Sequence, residues 1–161
     1  MFQFDPVPTG GSWRFPDPAA PPPEYRVEWP ERLEGSVGLE ISLSAPIERP
    51  RIDAALPYGP RSVIKLTVDQ PTPDFVRGPA TIDEFARSLR GIVARLESAL
   101  PKSTPIHVFP AMPASLAVAF GRYLKPKVSF PFHVYDAEGP RAPFAPAVVL
   151  PFLDAAPGEP S

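Results

Sequence analysis

Four side chains in the second half of the chain are of the types that hydrolyse bonds: Ser115, His107, His133 and Asp136. A serine becomes a nucleophile when an imidazole takes its proton and a carboxylate orients that imidazole, so this set is the first to test. Its spacing speaks against catalysis. Ser115 stands in PAMPASLAV, without the G-x-S-x-G turn that exposes a nucleophilic serine, and both histidines fall inside short strand-length runs, IHVF and FHVYD. There is no cysteine and no carboxylate cluster beside the histidines, so a metal site is poorly supplied and none is expected. Glycine-rich phosphate loops are missing too: Gly10-Gly11 is isolated near the N-terminus, and nothing fits G-x-G-x-x-G or a P-loop. No organic cofactor is expected.

Non-covalent chemistry remains, and the stretch Pro105 to Leu124, PIHVFPAMPASLAVAFGRYL, is where to look for it. Ile106, Val108 and Phe109 make a strand-length run that Pro110 is expected to stop, and Pro113 suits the first turn of a helix. In that helix Ala114, Ala117 and Gly121 alternate with Leu116, Val118, Phe120 and Leu124, so the small residues are expected to let it lie close on a sheet. A helix that starts directly after a strand aims its free N–H groups and positive dipole end beyond the strand's carboxyl end, where an anion is favoured. Arg122, Lys125, Lys127 and Arg141 add positive charge nearby, either as a solvated surface or as secondary help for a phosphate-bearing ligand.

The elements that must position this turn are readable in order. Residues 1–34 carry prolines too often for a helix, and Pro21-Pro22-Pro23 favours polyproline II, so this is an arm or linker. Its aromatics, among them Tyr25 and Trp29, suit docking on the domain or on a partner. From Ser36, SVGLEISLS alternates Val37, Leu39, Ile41 and Leu43 with Gly38, Glu40, Ser42 and Ser44, the pattern of a strand with one buried face. Between prolines, Ile52 to Leu56 allows at most a short helical turn. A β-branched strand follows in RSVIKLTV. Thr81 and Glu84 then form a capping box for a long helix, with Ile82, Phe85, Leu89, Ile92, Val93, Leu96 and Leu100 on its apolar face until Pro101. After the central strand–turn–helix unit come strands in PFHVYD and APAVVLPF. The order strand, strand, helix, strand, helix, strand, strand predicts an α/β fold with parallel central strands and an antiparallel edge pair at the end. One rim of that sheet then gathers Ser42 to Pro46, Asp69-Gln70, Pro110 to Ser115 and Asp136-Ala137.

With 161 residues, 43% of them hydrophobic, the chain has room for one domain with a real core. A net charge of −2 argues against binding long DNA or RNA, which relies on a broad basic surface, but leaves room for a small anion. The absence of cysteine fits a reducing compartment, and no run approaches the roughly 20 apolar residues that cross a bilayer. A cytoplasmic protein without a membrane partner is expected.

The segment IHVFPAMPASLAVAFGRYLKPK, followed by FHVYD and a closing strand, resembles the C-terminal half of SAVED domains, and GLEISLSAPI resembles the strand that opens that half. The resemblance covers roughly Ser36 to Phe152. It implies a single Rossmann-like (CARF-like) lobe with a mainly parallel sheet, spanning 35–153 between the proline-rich arm of 1–34 and a C-terminal tail of 154–161. It further implies a non-catalytic module of antiphage defence, in CBASS or type III CRISPR systems. Such a module senses a cyclic di-, tri- or tetranucleotide and activates an effector on another chain through self-association or hetero-oligomerisation. Carried over to this sequence, the ligand-binding positions are Ser42, Ser44, Ala111, Met112, Pro113, Ala114, Ser115 and, more weakly, Arg122. The family pattern has two lobes and this length accommodates one, so the expectation is half of a composite pocket, a non-effector subunit, or an assembly surface alone. The alternative is a structural interaction subunit that docks a partner through its proline-rich arm and binds no ligand.

Overall fold

A computed structural model describes residues 3–5, 12–56, 58–124, 130–139 and 141–150. Lys125, Lys127, Gly10-Gly11 and the expected tail lie outside the described residues. Eleven elements follow one another: β1 (Gln3–Asp5), β2 (Ser12–Arg14), β3 (Arg26–Glu28), β4 (Val37–Ser42), α1 (Arg49–Ala55), β5 (Ser62–Thr67), α2 (Pro79–Ala99), β6 (Ile106–Ala111), α3 (Ala114–Tyr123), β7 (Phe132–Asp136) and β8 (Ala145–Leu150). β1 and β2 pair with each other in a separate antiparallel ribbon. The other six strands form one sheet in the order β3-β5-β4-β6-β7-β8. Its four central strands are parallel, and β3 and β8 close the edges antiparallel.

Pleating sends alternate residues of each strand to opposite faces, and the two faces are covered differently. Val37, Leu39, Ile41 and Leu43 join Ile64, Leu66, Ile106 and Val108 beneath Phe85, Leu89, Ile92 and Leu96 of α2 and Leu116 and Phe120 of α3. The other face carries a smaller cluster, Ile52 of α1 with Ile47, Phe109, Tyr135 and Phe144. This explains why β4 is buried on both faces rather than the one its alternation predicts: Glu40 and Ser42 lie under α1. A central parallel strand flanked by helices has no solvent side.

Four local expectations are corrected. Pro110 does not end its strand, since β6 runs through it to Ala111, opposite Ile41 and Ser42 of β4. The Ala111 carbonyl faces β4, so the missing N–H of Pro110 faces β7, where pairing has already ended at Val108–Val134. The long helix begins at Pro79 after an N-cap at Gly78 without a side-chain cap, so Thr81 and Glu84 form no capping box. Thr81 is buried and its carbonyl accepts the Tyr25 hydroxyl at 2.9 Å, while Glu84 pairs with Arg87. In and just after α3, Leu116, Phe120 and Leu124 pack into the core, whereas Val118 and the small residues Ala114, Ala117 and Gly121 are exposed rather than packed beneath the helix. The short helical turn expected near Ile52 is a seven-residue helix, α1.

Part of the proline-rich segment belongs to the sheet. β3 pairs with β5, and Tyr25, Val27, Trp29 and Leu33 pack against the main core. Tyr25 lies edge-on to Phe75, with ring centroids 5.6 Å apart, and burial, with the nearby Glu84, raises its pKa. Arg95 stacks 4.0 Å from the Trp29 ring centre. No helix among the described residues is long and apolar enough to cross a membrane.

Candidate functional site

The sheet order creates a switch point between β4 and β6. After β4 the chain turns to α1 on one face, and after β6 it turns to α3 on the other, although the two strands are neighbours. Loops that leave adjacent parallel strands toward opposite faces open a crevice at the strands' carboxyl ends. Here those two loops begin with Leu43 to Ile47 after β4 and with Met112-Pro113, leading into Ala114 and Ser115 of α3, after β6.

Hydrogen bonds join these loops. The Ala111 carbonyl accepts the Leu43 amide at 2.9 Å and the Ser44 amide at 2.7 Å, and the Leu43 carbonyl accepts the Thr72 amide at 3.0 Å. Inside, the Ser42 hydroxyl donates to Glu40 at 2.6 Å and accepts the Ile47 amide at 3.3 Å, while the Thr67 hydroxyl donates to the Ser42 carbonyl at 2.9 Å. Glu40 also faces Lys65 at 3.6 Å. Ser42 is fully buried, so its hydroxyl shapes the turn from within. A fourth rim loop is held by Arg51 of α1, which donates to the Ala142 carbonyl at 2.6 Å and the Gly139 carbonyl at 3.3 Å and lies 4.8 Å from the Phe144 ring centre. Arg51 escaped sequence reasoning because its partners lie some ninety residues away, and no local motif announces such a clamp.

Of the expected positions, Ser44, Ala111, Met112, Pro113 and Ser115 are half-buried at the rim and Ala114 is exposed. Pro113 is the N-cap of α3 and supplies no capping side chain, so the Ala114 and Ser115 amides stand ahead of the first helical bonds, which run from Leu116 and Ala117 to the Pro113 carbonyl. Ser115 also opens onto a groove of about 430 Å³ between α2 and α3, lined by Ile82, Ala86, Val118, Ala119, Arg122 and Tyr123. Arg122 is in the last turn of α3, seven residues from Ser115 and at the helix end opposite the switch point. There its charge complements the helix dipole.

The hydrolytic set is not assembled. His107 precedes Ala111 by four residues along β6, about 13 Å at strand rise. It shares the α1 face with His133 and Tyr135, and its Nδ1 lies 3.1 Å from the Tyr135 hydroxyl. Burial first, and His133 second, lower the His107 pKa, and burial raises that of Tyr135. Asp136 accepts the neighbouring Ala137 amide at 2.8 Å, as a turn-opening residue does. Among the described residues no cluster of three or more imidazoles and carboxylates gathers that could hold a metal ion.

The family profile described as SAVED, the SMODS-associated and fused to various effectors sensor domain, matches residues 1–150. The chain belongs to the SAVED family. The match begins at residue 1, so the proline-rich segment lies within the SAVED region, whereas the resemblance read from motifs started at Ser36. A comparison with curated proteins found no match. SAVED is a sensor domain, and its strand order here puts a crevice where an α/β sensor is able to receive a ligand.

Proposed function

We propose that this SAVED domain is a non-catalytic sensor of antiphage defence that binds a cyclic oligonucleotide at the β4–β6 switch point. The observation that carries the reading is the double hydrogen bond from Leu43 and Ser44 to the Ala111 carbonyl, which joins the two loops beside the uncapped start of α3. A ring phosphate would accept from the Ala114 and Ser115 amides, with the Ser115 hydroxyl as a further donor and Ser44 on the neighbouring loop. Backbone amides suit phosphate because they are fixed, need no side-chain ordering and add to the helix dipole. Ala111, Met112 and Pro113 form the floor on which a base or ribose would lie, Ser42 holds the turn from inside, and Arg122 reaches only the far end of a ligand that follows the α2–α3 groove. A single lobe supplies one side of such a site, which suits a pocket completed by a second chain. Ligand-driven association, and through it activation of an effector on another chain, is the output in this reading.

Calorimetry with cyclic di-, tri- and tetranucleotides tests it. We expect one member of the panel to bind at micromolar concentration or tighter, Ser115→Trp to abolish that binding by filling the crevice, and light scattering to report a larger species only with the ligand. Silence across the panel, or unchanged affinity in S115W, would overturn the proposal. The reading of a ligand-free subunit docked through its arm has less to draw on, since Tyr25, Val27, Trp29 and Leu33 are used against the domain's own core.

A further inference from the structure

Away from the rim, on the α1 face of the sheet, lie two groups that the sensor reading leaves unused. β6 and β7 are parallel neighbours with His107 directly opposite His133, so the pleat sends both imidazoles to the same side. Their ring centroids are 5.3 Å apart and both rings are half-buried, reachable by water and small ions. Two imidazoles that share one first-row cation at a metal–nitrogen distance of about 2.0–2.1 Å, with a near-tetrahedral angle between them, hold their centroids about 5 Å apart. Next to them the Tyr135 hydroxyl lies 3.1 Å from Nδ1 of His107. When Nδ1–H donates to that oxygen, the lone pair falls on Nε2, the orienting arrangement that metal-binding histidines use. Across from His133 on β8 stands Val149, 47% exposed, so this end of the face is open.

We propose that His107 and His133 form a two-imidazole site for a divalent transition cation, with Tyr135 positioning His107. Magnesium and calcium are disfavoured because the pair supplies no oxygen donor of its own, whereas imidazole suits zinc, nickel and copper, copper binding most tightly. The cation keeps its other coordination positions for water. The site is independent of the rim, so it stands or falls separately from the sensor reading.

The sequence makes the test clean: these are the chain's two histidines and it has no cysteine. Copper(II) added to the full, untagged chain is expected to show hyperfine coupling to two imidazole nitrogens in electron paramagnetic resonance. Zinc calorimetry should give one ion per chain, weakened more than tenfold by His107→Asn or by His133→Asn. Tyr135→Phe should weaken it by about tenfold, the usual cost of losing an orienting partner. Zinc should also raise the melting temperature of the unaltered chain, as any ligand of the native state does, and leave that of H133N unchanged. Coupling to one imidazole or none, or zinc affinity unchanged in H133N, would overturn the proposal, and the copper spectrum decides even if a variant fails to fold.

Discussion

Ser42 shows how a residue at the carboxyl-end rim of the sheet does its work without being exposed. Its hydroxyl is spent twice, on Glu40 and on the Ile47 amide, and its carbonyl takes the Thr67 hydroxyl. Removing the hydroxyl leaves the buried Ile47 amide without its acceptor and takes one hydrogen-bond donor from the Glu40 carboxylate. Ser42→Ala should therefore destabilise the domain by about 1–3 kcal/mol, measured by urea unfolding, and loosen the turn that carries Ser44. A neutral effect would mean that water replaces the hydroxyl. The sequence placed Ser42 and Ser44 at a strand end, but only the coordinates separate their roles: β4 ends at Ser42, whose side chain is buried, and Ser44 lies in the loop beyond it, where it is half-exposed.

Two glycines show what helix-scale reasoning captures and misses. Gly121 lies within α3, where an added Cβ would meet nothing within 4 Å, so Gly121→Ala should stabilise the fold by about 0.5–1 kcal/mol. Gly78 precedes α2, and there a Cβ would stand 2.7 Å from the Asp17 carbonyl oxygen. That carbonyl also accepts the Ala20 amide, while the Asp17 amide donates to the Arg77 carbonyl, so the arm's crossing is fixed at this point. Gly78→Ala should cost about 1–3 kcal/mol by forcing the two segments apart. Thermal melts of the two variants should shift in opposite directions. Both glycines look alike in the sequence, and the capping box at Thr81 and Glu84 looked stronger than either. It fails because the helix already begins at Pro79, with Gly78 as its N-cap, so Thr81 and Glu84 stand inside the helix rather than at its start.

For the whole molecule, the proline-rich segment is the decisive case. Residues 26–28 complete the sheet edge, and Tyr25 covers Phe75 and Phe85, so deletion of residues 1–34 uncovers both the edge of β5 and part of the core. Side chains of this size contribute about 1.5–3 kcal/mol each when fully buried, and whole domains are stable by about 5–15 kcal/mol. The shortened chain should lose its cooperative melting transition and self-associate through the bared strand, as seen by calorimetry and size-exclusion chromatography. An unchanged transition would make the segment a dispensable linker.

Local pattern was enough for the α/β class, the central strands, the long α2 and the strand–turn–helix at Phe109 to Ser115, because apolar periodicity and proline punctuation are written in neighbouring residues. Tertiary structure alone decided that β4 and β6 are adjacent with their helices on opposite faces, that Arg51 clamps a loop some ninety residues away, and that His107 meets His133. Each of these depends on which strand lies beside which. Strand order is set by burying both faces of the whole sheet at once, a sum over distant contacts that no single stretch of sequence contains.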